Sequence, residues 1–198
     1  MGSVTQVGSM PGMALRDWLR GRTAYRHADV ERSMLLHDVM DPAGYRRFLL
    51  AQHDALVACE QGVEQSTLAS LLHDWPERRR RAALELDLAE LGLFPPDRAS
   101  APQLWSLEQA WGALYVLEGS RMGAKLLARQ LKNNPDPRCR AAAHFLTHGS
   151  ENRHWQSFVG MLNALELSSR QLSEVLSGAA EAFDAFQSAA EKLSEVGA

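Results

Sequence analysis

The sequence has few cysteines, no excess of one charge and no long apolar run. Cys59 and Cys139 fit no metal-binding or redox spacing, and we expect two reduced thiols in a cytoplasmic protein. The 21 basic and 24 acidic residues nearly cancel, which gives no reason to expect a nucleic-acid partner. No apolar segment approaches the roughly 18 residues that a membrane-spanning helix needs. The sequence therefore predicts a protein without a nucleic-acid or membrane partner.

The first twelve residues are small and polar. They lack the apolar core of a signal peptide, so we interpret residues 1–12 as a disordered leader. The apolar content of the chain is 45%, which is enough for one self-sufficient core. Residues 13–198 are thus predicted to form a single domain.

Strand signals are nearly absent, and apolar residues recur at intervals of three and four. This spacing is typical of helices that bury one face. We predict helices over residues 13–36, 42–65, 66–73, 76–91, 105–131, 137–148, 150–165 and 168–196, with a loop over 93–102. The predicted fold is an all-α bundle of seven or eight helices.

One face of the first predicted helix carries candidate iron-binding chemistry. Arg20, Thr23, His27, Glu31 and Met34 are spaced 3, 4, 4 and 3 residues apart and therefore share this face. Imidazole is a common iron ligand, and Glu31 could accept the other ring N–H of His27. Arg20 lies roughly 10 Å along the helix from His27, about the distance from a haem iron to a propionate. Taken alone, a histidine on an inward helix face is usually a hydrogen-bonded core residue.

The helix over 105–131 contains two glycines on one face, Gly119 and Gly123, with Ser120 beside them. A glycine inside a helix costs about 1 kcal/mol relative to alanine, so the pair calls for a reason. Close helix packing is one reason, and the approach of a flat, bulky ligand is another. Arg121 points to the opposite side. Together with His27, the bare face predicts a slot for haem.

These segments resemble the haem oxygenase family. The resemblance rests on the motifs Leu15-Arg16, Thr23 to Glu31, Trp111 to Ala124 and Met161 to Glu166, together with Phe158, Phe183 and Phe186. The motifs occur in the family's order from Leu15 to Leu193. Met122 stands where leucine is commoner in the family.

The resemblance implies an all-α fold with haem b, both substrate and cofactor, between the first helix and a kinked distal helix. It implies that His27 is the proximal ligand, with Thr23 and Glu31 as neighbours. Gly119, Ser120 and Gly123 would form the distal wall. Tyr115 and Phe183 correspond to aromatic residues near the haem, and Arg20 to a propionate partner. Where some members carry basic residues, this chain has Trp155 and Val159, which leaves the ring orientation and the biliverdin isomer open.

The family reaction opens haem to biliverdin, CO and Fe²⁺ with O₂ and an external electron donor, such as ferredoxin or a reductase. A bacteriophytochrome could receive the biliverdin. The glycine face offers no acid–base side chain, since Glu118 is rotated about 100° from Gly119. We expect a water network near Ser120 to supply protons. Two alternatives stay open: a haem- or tetrapyrrole-binding module without turnover, and an enzyme of the thiaminase II type on the same scaffold.

Three other features have simpler interpretations. The basic run 78–81 could steer an acidic donor, but a solvated face is the preferred interpretation. His144 and His148 are four residues apart, yet no third metal ligand stands at a diagnostic spacing, so we interpret them as surface or structural. Trp105, Trp111 and Phe94 are predicted to be core or loop anchors rather than ligand contacts.

Overall fold

A computed structural model describes residues 13–35, 37–95, 104–151 and 153–195. Within these residues the chain is helical and contains no strand, which confirms the predicted all-α class. The helices are α1 Leu15–Leu35, α2 Pro42–Gln65, α3 Leu68–Leu71, α4 Trp75–Arg78, α5 Arg81–Glu90, α6 Leu107–Leu131, α7 Pro137–Ala141, α8 His144–Thr147, α9 His154–Asn163 and α10 Ser169–Glu195. The predicted leader and most of the predicted loop 93–102 lie outside the described residues. None of the described helices is long and apolar enough to cross a membrane.

Two segments predicted as single helices are each divided into two. The segment 76–91 breaks at Arg79, whose backbone is extended, and α5 begins where the Glu60 carboxylate accepts the backbone N–H of Arg80 at 2.6 Å. The segment 137–148 breaks at 142–143. There the buried Asp87 carboxylate accepts the backbone N–H groups of His144 and Phe145 at 2.9 and 2.8 Å. A carboxylate from a distant helix thus caps each new helix start.

The centre of the bundle is the crossing of α6 and α10, where glycines let the two backbones approach. A Cβ atom on Gly112 would lie 1.9 Å from the carbonyl oxygen of Val175. A Cβ atom on Gly178 would lie 1.9 Å from the carbonyl oxygen of Gln109. Neither position has room for any side chain, so both glycines are fixed by this close approach.

The position of α1 relative to α6 is set by the two helices between them. Both α9 and α10 pack against α1, and both also pack against α6. The helices that carry the predicted iron-binding face and the glycine face are therefore held by a common support.

Candidate functional site

His27 is accessible on the surface of α1, in the setting of a ligand rather than of a core histidine. Its side chain is 61% exposed, and its Nδ1 lies 3.5 Å from Oε1 of Glu31. The ring of Phe183 on α10 meets the imidazole edge-on, with the ring centres 6.0 Å apart and the planes at 76°. Since Nδ1 is directed towards Glu31, Nε2 is the nitrogen available to bind a metal.

Thr23 and Tyr115 join α1 to α6 one turn before His27. The Thr23 hydroxyl is buried and donates to the carbonyl of Leu19 at 2.8 Å. Burial raises the pKa of the Tyr115 phenol, while its hydrogen bond with Thr23 and the charges of Arg16 and Arg20 act in the opposite direction. Tyr115, which was predicted on a different helix from Thr23 and Arg20, is thus brought next to them.

The glycine face of α6 is largely uncovered. A Cβ atom on Gly123 would meet nothing within 4 Å, and one on Gly119 would touch only the ring of Trp155, at 3.7 Å. Met122 and Leu126 fall within about 60° of Gly119 around the helix. They are 62% and 57% exposed. A face of bare backbone and exposed large apolar side chains suits a flat apolar ligand, which would cover both.

Ser120 is engaged by a buried arginine. The Ser120 hydroxyl donates to the carbonyl of Leu117 at 2.8 Å and accepts from Nη2 of Arg80 at 2.7 Å. Burial and the nearby charge of Arg121 lower the pKa of Arg80 to about 10. The hydroxyl hydrogen of Ser120 is therefore directed to the backbone. No pattern in the sequence indicated this pairing, because Arg80 belongs to a run that resembles an exposed surface.

Both interpretations of the basic run 78–81 are wrong. The side chain of Arg78 is fully buried, with Nη1 3.3 Å from Oε2 of Glu118, and Arg80 is 3% exposed. Arg79 and Arg81 pair with Glu64 at 3.1 and 3.0 Å. Because carboxylates pair with Arg78, Arg79 and Arg81 and Arg80 is buried, the run is neither a solvated face nor a steering surface.

Glu118 lies on the side of α6 that faces away from the glycines. Its carboxylate is 1% exposed and binds Nε of Arg121 at 3.0 Å in addition to Arg78. Arg121 also donates to the carbonyls of Arg78 and His148, at 2.6 and 3.3 Å. These contacts confirm that Glu118 and Arg121 act outside the predicted slot, and they fix the rotation of α6.

Trp155 is a slot residue that the sequence marked only as a departure from the family. Its ring would lie 3.7 Å from a Cβ atom on Gly119, and its centre lies 6.0 Å from the ring centres of both Tyr115 and Phe158. The spacing of Trp155 and Phe158 by three residues on α9 could have indicated a shared aromatic face. Trp155 therefore forms the wall of the slot where α6 and α9 meet.

The remaining predicted residues are divided between site and core. Met34 is half-buried at the end of α1, where its sulfur accepts from Nε2 of Gln52 at 3.3 Å. Trp105 and Trp111 are buried, as predicted. Phe94 is 88% exposed, so its predicted anchoring role is wrong.

The cysteines and the His144–His148 pair show no catalytic arrangement. Burial raises the pKa of Cys59 to about 12 and also raises that of Cys139, which keeps both thiols protonated and unreactive. Nδ1 of His144 lies 2.7 Å from the buried Asp87 carboxylate, in a structural contact. No group of three potential metal ligands from histidine, cysteine, aspartate and glutamate occurs in the described part of the chain.

Known proteins with similar sequences are haem oxygenases. The family model "Heme oxygenase" matches residues 13–192. A heme oxygenase of Xanthomonas campestris pv. campestris is 29% identical over 147 residues, which are 74% of this chain and 88% of that protein. Heme oxygenase PigA of Pseudomonas aeruginosa is 31% identical over 145 residues, which are 72% of this chain and 73% of that protein.

Solved structures give the same result for the fold. The NO- and CO-bound heme oxygenase of Neisseria meningitidis superimposes with a TM-score of 0.80 at 25% identity, over 93% of this chain and 94% of that chain. Heme oxygenase from Leptospira interrogans superimposes with a TM-score of 0.69 at 19% identity, over 91% and 100% of the two chains, and supports the fold alone. The family match covers nearly all of the described helices, including those that carry His27 and the glycine face. The chain belongs to the haem oxygenase family.

Proposed function

We propose that this haem oxygenase holds its substrate between α1 and the glycine face of α6, with Nε2 of His27 as the iron ligand. The reaction of the family is the O₂- and reductant-dependent opening of haem to biliverdin, CO and Fe²⁺. The observation that supports the assignment is an exposed imidazole on α1 together with an uncovered face on α6, two helices that α9 and α10 hold in common. Haem supplies the redox-active iron and is also the molecule that is oxidised.

On the iron side, the surroundings of His27 prepare the imidazole as a ligand. The Glu31 carboxylate lies 3.5 Å from Nδ1 of His27, where it would favour the tautomer that carries the hydrogen on Nδ1 and leaves Nε2 free. The edge-on contact with Phe183 limits rotation of the ring. Together, these two neighbours orient the ligand before haem binds.

On the opposite side, the absence of Cβ atoms at Gly119 and Gly123 lets the α6 backbone approach the macrocycle. The nearest carboxylate on α6, that of Glu118, is buried behind the helix and held by Arg78 and Arg121. The described glycine face therefore offers no side-chain acid, and protons reach this side through water. A site of this kind directs oxidation to the rim of the ring rather than to a second substrate.

Arg20 is the residue proposed to hold a propionate. It is exposed, makes no ion pair among the described residues, and lies close enough to Tyr115 to influence its pKa. An unpaired guanidinium next to a phenol can bind a carboxylate through charge-assisted hydrogen bonds. This contact would fix one edge of the ring.

The external electron donor is proposed to be a ferredoxin or a reductase of the cytoplasm. Arg20 and Arg22 on α1 and Arg129 on α6 are exposed cationic side chains. They would attract an acidic donor to the edge of the haem. The biliverdin that is released would be available to a bacteriophytochrome.

A binding module without turnover is the second candidate, because an open slot with a histidine ligand would serve storage as well. A thiaminase II-type enzyme is disfavoured, because both cysteines are buried and their thiol pKa values are raised. The haem oxygenase and the binding module differ in what happens when reductant and air are added to the ferric haem complex. The enzyme converts the haem to biliverdin, whereas the binding module keeps the haem intact.

The test compares His27→Ala with His73→Ala, a matched variant at an exposed histidine outside the slot. Each protein is loaded with haem and given ascorbate in air, and the Soret band and the pigment are followed by spectroscopy and chromatography. We expect wild type and His73→Ala to form biliverdin, and His27→Ala to do so only with added imidazole. Normal turnover of His27→Ala without imidazole would refute the assigned ligand. A wild-type ferric complex that persists would favour the binding module.

A further inference from the structure

A second polar cavity lies behind α6, on the side away from the glycine face. Arg80, Arg121, Lys125, His148 and Gly149 line it, together with apolar residues of α8. It opens to solvent and has room for about one water-sized group. No carboxylate lines it among the described residues. The haem site does not use this cavity.

Arg80 brings a buried charge to the cavity, which the charges of Glu60 and Glu118 partly offset from a distance. The residue is 3% exposed, yet no carboxylate of the described chain lies within 4 Å of its guanidinium. Only Nη2 forms hydrogen bonds there, to the Leu117 carbonyl and the Ser120 hydroxyl, which leaves Nη1 and Nε available. The guanidinium is stacked over the Phe145 ring at 5.0 Å from its centre, which fixes its plane. A buried cation of this kind is costly unless an anion binds it.

The other wall contributes a second unsatisfied polar group. Nδ1 of His148 is buried and has no hydrogen-bond partner in the described part of the chain. Burial lowers the pKa of His148, as do the charges of Arg121 and Arg80, so the ring faces a positive environment. A neutral imidazole that carries its hydrogen on Nδ1 would be a donor to an anion.

The loop after α8 is shaped to this cavity by Gly149. Its φ is +63°, and a Cβ atom there would lie 3.3 Å from Nη1 of Arg121 and 3.0 Å from Cδ2 of His154. Glycine therefore lets the loop close over Arg121, whose Nη1 donates to the His148 carbonyl. Arg121 is neutralised by Glu118, so the net charge at the cavity comes from Arg80 and Lys125.

We propose that this cavity is a binding site for a small inorganic oxyanion of the phosphate class. One oxygen would enter between the free N–H groups of Arg80 and Nδ1–H of His148, and the outer oxygens would meet the Lys125 ammonium at the mouth. The forked guanidinium favours an oxyanion over a halide, because two N–H groups can bind one anion together. Through the bond from Arg80 to Ser120, the site is connected to the helix that carries the glycine face.

The first test uses the full chain without haem, so that it does not depend on the haem assignment. Inorganic phosphate, sulfate and chloride are titrated at constant ionic strength, with calorimetry and thermal unfolding as measurements. We expect saturable heat and a rise in melting temperature with phosphate and sulfate, since a ligand of the folded state stabilises it. An equal response to chloride, or no saturable heat with millimolar phosphate, would overturn the proposal.

Variants localise the site. Lys125→Met should weaken phosphate binding about tenfold, the loss of one charge-assisted hydrogen bond near the surface. Arg129→Met, one turn further along α6 and outside the cavity lining, is the matched control and should leave the affinity unchanged. Equal affinity of both variants would place the anion elsewhere. The imidazole NMR signals of His148 should shift with phosphate while those of His73 do not, and the reverse would also overturn the assignment.

Discussion

Gly123→Ala should have opposite effects on the folded chain alone and on its haem complex. A Cβ atom at Gly123 meets nothing within 4 Å, so alanine fits the empty slot without strain. Alanine in a helix interior is more favourable than glycine by about 0.5–1 kcal/mol. For a chain of this size, we expect the melting temperature of the haem-free protein to rise by about 1–4 °C.

With haem, the same methyl group stands between the backbone and the ring. The Cα–Cβ bond is about 1.5 Å long, so the macrocycle must move away from α6 or the helix must shift. Overpacking of this kind costs about 1–3 kcal/mol, which weakens haem binding about 5- to 150-fold. The assays are thermal unfolding of the haem-free protein, Soret titration, and biliverdin formation with ascorbate.

Gly21→Ala is the matched control. Gly21 is exposed inside α1, a Cβ atom there also meets nothing within 4 Å, and its direction differs by about 120° from that of His27. It should give the same stabilisation and leave haem binding unchanged. Wild-type haem affinity and turnover in Gly123→Ala would refute the slot. A loss of stability in Gly123→Ala that is not seen in Gly21→Ala would mean that another group already covers the glycine face.

Three further predictions concern stability and are tested by urea unfolding followed by circular dichroism. Gly112→Ala should destabilise the fold by about 3 kcal/mol or more, because its Cβ would lie 1.9 Å from the Val175 carbonyl oxygen and the α6–α10 crossing must open. Glu118→Gln should cost about 3–5 kcal/mol, because two buried arginines lose their carboxylate. His37→Gln should flatten the pH dependence of stability below neutrality. Burial lowers the pKa of His37 from its usual 6.5, so the unfolded chain binds more protons and stability falls as the pH drops through 6.5 towards the folded pKa.

Each of these predictions has an opposite outcome. An unchanged urea midpoint for Gly112→Ala would contradict the close approach of the α6 and α10 backbones. An unchanged midpoint for Glu118→Gln would mean that Arg78 and Arg121 find other partners. Nε2 of His37 lies 3.0 Å from the Ala190 carbonyl oxygen, a contact that glutamine can replace. A pH profile of His37→Gln as steep as that of the wild type would assign the titration to other groups.

Local signals predicted the fold class and the main elements well. The helix α2 has the predicted bounds because Asp41 caps it through the backbone N–H of Gly44 and Pro42 occupies its first turn. The candidate slot residues His27 and Gly123 were predicted in the same way, since a helix places residues four apart on one face. Haem ligation by His27 stays a prediction until the ligand variant is measured.

The basic run and the Ser120 environment could not be predicted from neighbouring residues. Asp74 binds Arg78 from four residues away, but Glu118, Ser120 and the Leu117 carbonyl reach Arg78 and Arg80 from another helix. A short sequence window does not contain the partners that lie about forty residues further along the chain. An arginine without such partners would remain exposed to water.

The sequence by itself determined the helical class, the apolar stripes and the two helix faces that together suggest haem, because periodicity and capping depend on residues within one or two turns. Only the tertiary structure decided which charges are buried, where two predicted helices break, and that Trp155 forms part of the slot wall. The breaks depend on the Glu60 and Asp87 carboxylates, which cap helices of other segments. The free energy of a buried charge or a helix cap depends on groups that folding brings together. The partners of such a group therefore cannot be read from its neighbours in the sequence.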